Sequence, residues 1–147
     1  MISTRILIPA LALAAGLGVA GCETVADTVE EGETASMTGS QEVPGPGDPD
    51  GSGTAEVTVV NASDSVCYEL NVHNIAPATA AHIHRGAPGV AGPPVVTLEA
   101  PTDGTSDGCI VTPTDLAAEI EANPAAFYVN VHNAEYPDGA IRGQLAP

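Results

Sequence analysis

The sequence predicts one all-β domain, a sandwich or barrel with one short helix. Short runs of β-branched and aromatic residues recur along the chain, and stretches rich in Gly, Pro, Asn and Asp separate them. Many short strands spaced by turns are typical of two packed sheets or of a barrel. One Phe, three Tyr and no Trp leave the core poor in large side chains, so a covalent cross-link would help to hold it.

Six strands and one helix are predicted in chain order. The first two strands form a hairpin about residues 61–65, and the last two form a hairpin about residues 136–139. Thr112 is the expected helix N-cap, with Pro113 at the first helical position and Asp115 as the capping-box acid. Leu116 and Ile120 form the apolar side of the helix. The predicted strands cover residues 55–60, 66–72, 80–84, 94–99, 127–132 and 140–145.

Residues 1–21 are typical of a lipoprotein signal peptide. Arg5 precedes the apolar stretch 6–20, which is shorter than the roughly 20 residues that span a bilayer. The stretch ends in Val19-Ala20-Gly21-Cys22, which resembles the bacterial lipobox, where cleavage leaves Cys22 to carry lipid. An ordinary cleavage after Ala20 is the alternative. We therefore expect a lipoprotein on the extracytoplasmic side of the cell envelope, held to the membrane by lipid on Cys22.

The mature chain is strongly acidic and divides into two predicted parts. Residues 22–36 are the lipidated cysteine and an acidic flexible tether, and residues 37–147 are the folded β domain. The chain has three basic residues against 19 acidic ones, and it contains no Lys. Such a charge repels phosphate backbones, which excludes nucleic acid as a partner. Besides the membrane, the expected partner is an unidentified extracytoplasmic protein or ligand.

Two cysteines remain once Cys22 carries lipid. An even number of cysteines in an exported protein predicts a disulfide, here between Cys67 and Cys109. Two reduced, buried thiols are the alternative. In the chain-entropy model a bridge of this length stabilises the fold by at most about 4 kcal/mol.

The histidines are the clearest candidates for chemistry. His82 and His84 are spaced i, i+2 on a predicted strand, so both imidazoles project from the same face and could bind one metal ion. His132 ends another strand and is the candidate third ligand, while His73 is a fourth candidate. Nitrogen ligands favour copper or zinc over calcium. The alternative is that His82 and His84 bond to the backbone and pin the Gly/Pro loop beside them.

Other motifs carry less weight. The run from Asp48 to Gly53 begins like a calcium loop, but its twelfth position is Val59 rather than Glu, so a surface turn is favoured. Glu135 and Asp138 lie in a hairpin turn, where solvated carboxylates are ordinary. No G-x-S-x-G elbow, phosphate-binding loop or dinucleotide fingerprint is present. A hydrolase is therefore the weakest hypothesis.

Several segments together resemble the CHRD domain, a module named after chordin and frequent in bacterial exported proteins. The resemblance runs from about Met37 to Pro147, with Ala140 as a minor departure. It implies an immunoglobulin-like or superoxide-dismutase-like β-sandwich or barrel. A bimetallic dismutase site needs about six histidines, whereas this chain has four, which argues against dismutase activity. The segments that carry the resemblance are Thr38–Pro44, Gly53–Ala55, Ala80–His84, Tyr128–His132 and Gly139–Leu145.

Two functions follow from these observations. The first is a non-enzymatic, membrane-anchored module that binds a partner or stiffens the envelope, presenting loops such as residues 85–92 on a rigid scaffold. The second is a mononuclear copper or zinc protein that uses His82, His84 and His132. The distances between the histidine rings decide between them.

Overall fold

The computed structural model describes residues 32–147. Within that range eight strands and one α-helix form, which confirms the predicted all-β class with one short helix. The elements are β1 Glu33–Thr38, β2 Ser52–Val60, β3 Ser65–His73, β4 Ala78–Arg85, β5 Pro94–Leu98, β6 Thr105–Val111, α1 Thr114–Ala122, β7 Phe127–Asn133 and β8 Ile141–Gln144. All strand pairs are antiparallel, and the sheet order is β5-β4-β7-β8-β1-β2-β3-β6.

The sheet curls into a nearly closed barrel. Strand alternation turns Leu70, Ile83 and Val129 inward, and none of the three is exposed to solvent. Burying a side chain of this size contributes roughly 1.5–3 kcal/mol. Side chains rather than a backbone ladder join the two ends of the sheet: the Ser106 hydroxyl of β6 donates to the Glu99 carbonyl, which follows β5, at 2.8 Å.

The predicted disulfide is present. Cys67 of β3 and Cys109 of β6 lie directly opposite each other in the strand register. Their Cα atoms are 3.9 Å apart and their sulfurs are bonded. The bridge therefore ties β6, at one end of the sheet order, to the neighbouring strand β3.

The predicted boundary between tether and domain is wrong. Residues Glu33 to Ser36, assigned to the tether, belong to β1, which pairs with β2 over its whole length. Glu33, Ala35 and Met37 turn inward and are buried. The strand is difficult to recognise in the sequence because its inward positions include a small residue and an acid. The signal peptide, Cys22 and the tether up to residue 31 lie outside the described residues.

The predicted helix N-cap is also wrong. Pro113 occupies the cap position with extended backbone and gives no side-chain hydrogen bond. The Thr112 hydroxyl instead donates to the Asp64 carbonyl at 3.2 Å, which ties the segment to the turn before β3. Leu116 and Ile120 are buried as predicted.

Strand β6 was not predicted, because Asp107 and Gly108 interrupt its apolar alternation. Across residues 32–147, α1 is the only α-helix, and no helix combines the length and apolar character that crossing a membrane requires.

Candidate metal centre

The three candidate histidines lie together on the outer face of β4 and β7. In β4, Ala81 and Ile83 turn into the core, so the i, i+2 pair His82 and His84 turns outward. His132 of β7 turns to the same outer face and pairs with Ala80, two residues before His82. The spacing of His82 and His84 predicted their shared face, and the structure brings His132, the candidate from another strand, beside them. His73 lies exposed on β3 and is outside the cluster.

The distances fit one shared ion. His82 Nδ1 lies 3.2 Å from His132 Nε2, and one ring nitrogen from each of the three histidines lies within 4.8 Å of the others. Two imidazole nitrogens bound to one tetrahedral zinc ion at about 2.0–2.1 Å lie roughly 3.4 Å apart. The first pair already has about that separation, and the His84 ring nitrogen lies within 4.8 Å of both.

Backbone carbonyls fix the tautomers of two rings. His84 Nδ1 lies 2.8 Å from the Gly92 carbonyl, and His132 Nδ1 lies 3.1 Å from the Pro137 carbonyl. A carbonyl only accepts, so each Nδ1 carries the proton and each Nε2 keeps its lone pair. Metal-binding histidines are commonly oriented by such an acceptor on the second nitrogen.

His84 Nε2 is the atom that a purely structural role does not explain. The side chain is buried, with 9% of its surface exposed, and Nε2 has no hydrogen-bond partner among the described residues. An unpartnered buried nitrogen costs roughly 1–3 kcal/mol. A metal ion would satisfy it.

The environment lowers the pKa of all three rings, which favours the neutral form that binds metal. Burial lowers the pKa of His82, and the neighbouring rings of His132 and His84 lower it further. Burial is also the main cause of the lowered pKa values of His84 and His132, against the opposing effect of their carbonyl partners.

The alternative role, in which His82 and His84 hold the loop of residues 86–92 through hydrogen bonds to its backbone, is observed for His84 alone. His84 holds Gly92 through Nδ1. Three further side chains, which the sequence did not single out, hold the same loop. The Tyr128 hydroxyl accepts from the Gly92 N–H at 3.1 Å. Arg142 Nη2 donates to the Ala87 carbonyl at 3.1 Å, and Gln144 Nε2 donates to the Gly86 carbonyl at 2.8 Å. Strand alternation from His132 and from Ile141 could have placed these residues on the outer face.

The two discounted acidic motifs behave as turns. The Asp50 N–H lies 3.4 Å from the Asp48 carboxylate, and Val59 points into the core with 6% exposed. Glu135 and Asp138 are exposed.

A family comparison supports the resemblance. The family model described as CHRD domain matches residues 34–145, which is nearly the whole folded part of the chain. Neither a curated protein nor a solved structure matches the chain.

Proposed function

Because the chain belongs to the CHRD domain family, we propose that it is a non-enzymatic, membrane-anchored lipoprotein whose domain binds one transition-metal ion. The ligands are His82, His84 and His132. One observation carries the proposal: the first and third rings already lie at ligand spacing, while His84 Nε2 is buried and unpartnered beside them.

The donor set favours copper or zinc. Three neutral imidazoles suit both ions, whereas calcium and magnesium require oxygen ligands. Neither a thiolate nor a carboxylate belongs to the cluster found within residues 32–147. When bound, the ion supplies a Lewis acid with a coordination position left for a further ligand.

The proposed anchor is lipid on Cys22, which follows the lipobox-like Val19-Ala20-Gly21. We expect Cys22→Ser to move the protein from the membrane fraction to the soluble fraction. A variant that stays on the membrane after a high-salt wash would show that the apolar segment itself is the anchor.

The second candidate is a metal-free binding or structural module. It is favoured by the loop of residues 86–92, which several hydrogen bonds hold against the sheet and which presents Val90 with 52% of its surface exposed. A rigid loop with an exposed apolar side chain can dock a protein at low entropic cost.

Metal analysis of protein purified without a histidine tag separates the two candidates. We expect about one copper or zinc ion per wild-type chain and per His73→Gln chain, and a large loss in His84→Gln. His73 is the matched control because it is exposed and outside the cluster. Equal metal content in the two variants would leave the binding module as the function.

A further inference from the structure

A cavity of about 250 Å³ lies beside the outer face of β8. Its rim is formed by exposed residues, including Gln41, Pro88 and Gly89, and its deeper lining includes Glu42 and Arg142. Small-ligand sites are concave and fix their ligand through a few placed polar or charged groups, and Glu42 and Arg142 are two such groups in this lining. The candidate metal ligands do not line this cavity.

Arg142 is the only buried arginine of the described residues, with 2% of its surface exposed. Its guanidinium carbon lies 3.4 Å from the centroid of the Tyr128 ring, and Nη2 donates to the Ala87 carbonyl at 3.1 Å. Nη1 has no partner. A guanidinium is always charged, and a buried charge without an ion partner is strongly unfavourable.

A shortage of acids does not explain the unpaired charge. The chain has 19 acidic residues, and its other arginine in the described range, Arg85, does pair with Glu119. Glu42 lines the same cavity, and the Arg142 charge acts to lower the pKa of its carboxyl, yet no salt bridge joins the two side chains. Glu42 Oε2 accepts instead from Asn130 Nδ2 at 3.0 Å, and Glu42 Oε1 has no hydrogen-bond partner within residues 32–147. One buried donor and one buried acceptor therefore remain at the same cavity.

We propose that the cavity binds a small zwitterion of the α-amino-acid type, whose carboxylate accepts from Arg142 Nη1 and whose ammonium donates to Glu42 Oε1. Such a ligand satisfies both groups, and its opposite charges match theirs. A simple anion would leave the carboxylate unpaired and repel it, and a simple cation would do the same to the guanidinium.

Entry requires the rim to move, since both atoms lie below the surface. Gly89 lies at the rim, and a Cβ added there would meet nothing within 4 Å, so open space is available for such a movement. Arg142 and Asn130 pair with each other in the β7–β8 ladder, and Arg142 also donates to the Ala87 carbonyl. These contacts keep the polar groups in place when the rim moves.

The test is an amide NMR titration of the full mature chain with glycine. We expect saturable shifts of the Glu42 and Gly89 amides, with acetate and glycine betaine, which has no N–H, binding about tenfold or more weakly. Arg142→Lys and Glu42→Gln should each weaken glycine binding about tenfold. Arg85→Gln, the matched control, should change it by less than about twofold.

The ligand series keeps the proposal falsifiable even if Arg142→Lys fails to fold. If glycine gives no saturable shift, or if acetate binds the wild-type protein as tightly as glycine does, the proposal is wrong. Unchanged glycine binding in Glu42→Gln would overturn it as well.

Discussion

His82 Nδ1 and His132 Nε2 lie 3.2 Å apart across the β4–β7 pair, although 50 residues separate them in the chain. Since His132 Nδ1 donates to the Pro137 carbonyl, the proton between the two rings belongs to His82 in the metal-free state. A metal ion would replace that proton. The contact is therefore a hydrogen bond in the metal-free protein and part of the coordination site proposed above.

The first prediction follows from this pair. Ligand binding to the folded state alone stabilises it by about 2.7 kcal/mol at a free concentration 100 times Kd. Zinc added at that level should raise the free energy of unfolding of the wild-type protein and of His73→Gln by about this amount. His132→Gln should gain little, because two imidazoles remain. Urea unfolding with and without zinc, followed by circular dichroism, checks this. An equal gain in all three proteins would place the metal elsewhere.

Tyr128 should act on the metal site without touching the ion. Its ring stacks on His84 with centroids 4.9 Å apart, and its hydroxyl accepts from the N–H of Gly92, whose carbonyl orients His84. Tyr128→Phe keeps the stack but leaves the half-buried Gly92 N–H without this partner, so we expect a loss of about 0.5–1.5 kcal/mol in stability. Loss of such an orienting contact commonly weakens metal affinity about tenfold or more.

Calorimetric titration with zinc and urea unfolding measure the two effects. Tyr136→Phe is the matched control, since no hydrogen bond of its hydroxyl is found within residues 32–147. Equal metal affinity in the two variants would show that the Gly92 contact does not orient His84.

The sequence predicts those parts of the molecule in which a residue pattern by itself determines the local structure. The His82–His84 spacing, the cysteine pair and the strands with clear apolar alternation were all found. Strand β1 was missed because Glu33 occupies a buried inward position. Thr112 was misassigned as a cap because the Asp64 carbonyl, 48 residues earlier, competes for its hydroxyl. Glu42 and Arg142 could not be identified, because their burial depends on loops that fold over the sheet from distant parts of the chain.

The disulfide should contribute strongly to stability. Cys67 and Cys109 are 42 residues apart in sequence, and closing a loop of this length contributes about 4 kcal/mol in the chain-entropy model. The double variant Cys67→Ser, Cys109→Ser should lose up to that amount. Adding dithiothreitol to the wild-type protein should give a similar loss and should leave the variant unchanged. A variant within about 1 kcal/mol of the oxidised protein would contradict this account.

Three carboxylates lie side by side across neighbouring strands. Glu56 of β2 pairs with Glu69 of β3, which pairs with Asp107 of β6, and all three are exposed. Like charges directly opposite each other destabilise a sheet. Glu69→Gln removes the central charge and can still accept the hydrogen bond from Asn71. We expect a gain of about 0.2–1 kcal/mol at low salt.

Salt should reduce that gain, because the Debye length falls from about 10 Å at 0.1 M to about 3 Å at 1 M. Urea unfolding in low and high sodium chloride measures the difference. Asp103→Asn, an exposed acid outside the row, is the control. A gain that is the same at both salt concentrations would mean that charge repulsion is not its cause.

Glu42 should make stability depend on pH in the direction opposite to an ordinary ion-paired acid. Burial raises its pKa from 4.5 to about 7, despite the opposing effects of the Asn130 hydrogen bond and the Arg142 charge. Between these values the folded state binds more protons than the unfolded state, so this group's contribution to stability falls as the pH rises. The contribution is fully present below about pH 4.5 and is lost by about pH 7, a change of roughly 3 kcal/mol.

Glu42→Gln isolates this effect, because glutamine keeps an oxygen for Asn130 and cannot ionise. Relative to wild type, the variant should become more stable as the pH rises from about 4.5 to about 7, and the difference should then stay constant. Urea unfolding of both proteins across this range measures it, with the exposed Glu135→Gln as control. A difference between wild type and Glu42→Gln that is flat with pH would show that the carboxyl is solvated in the folded protein.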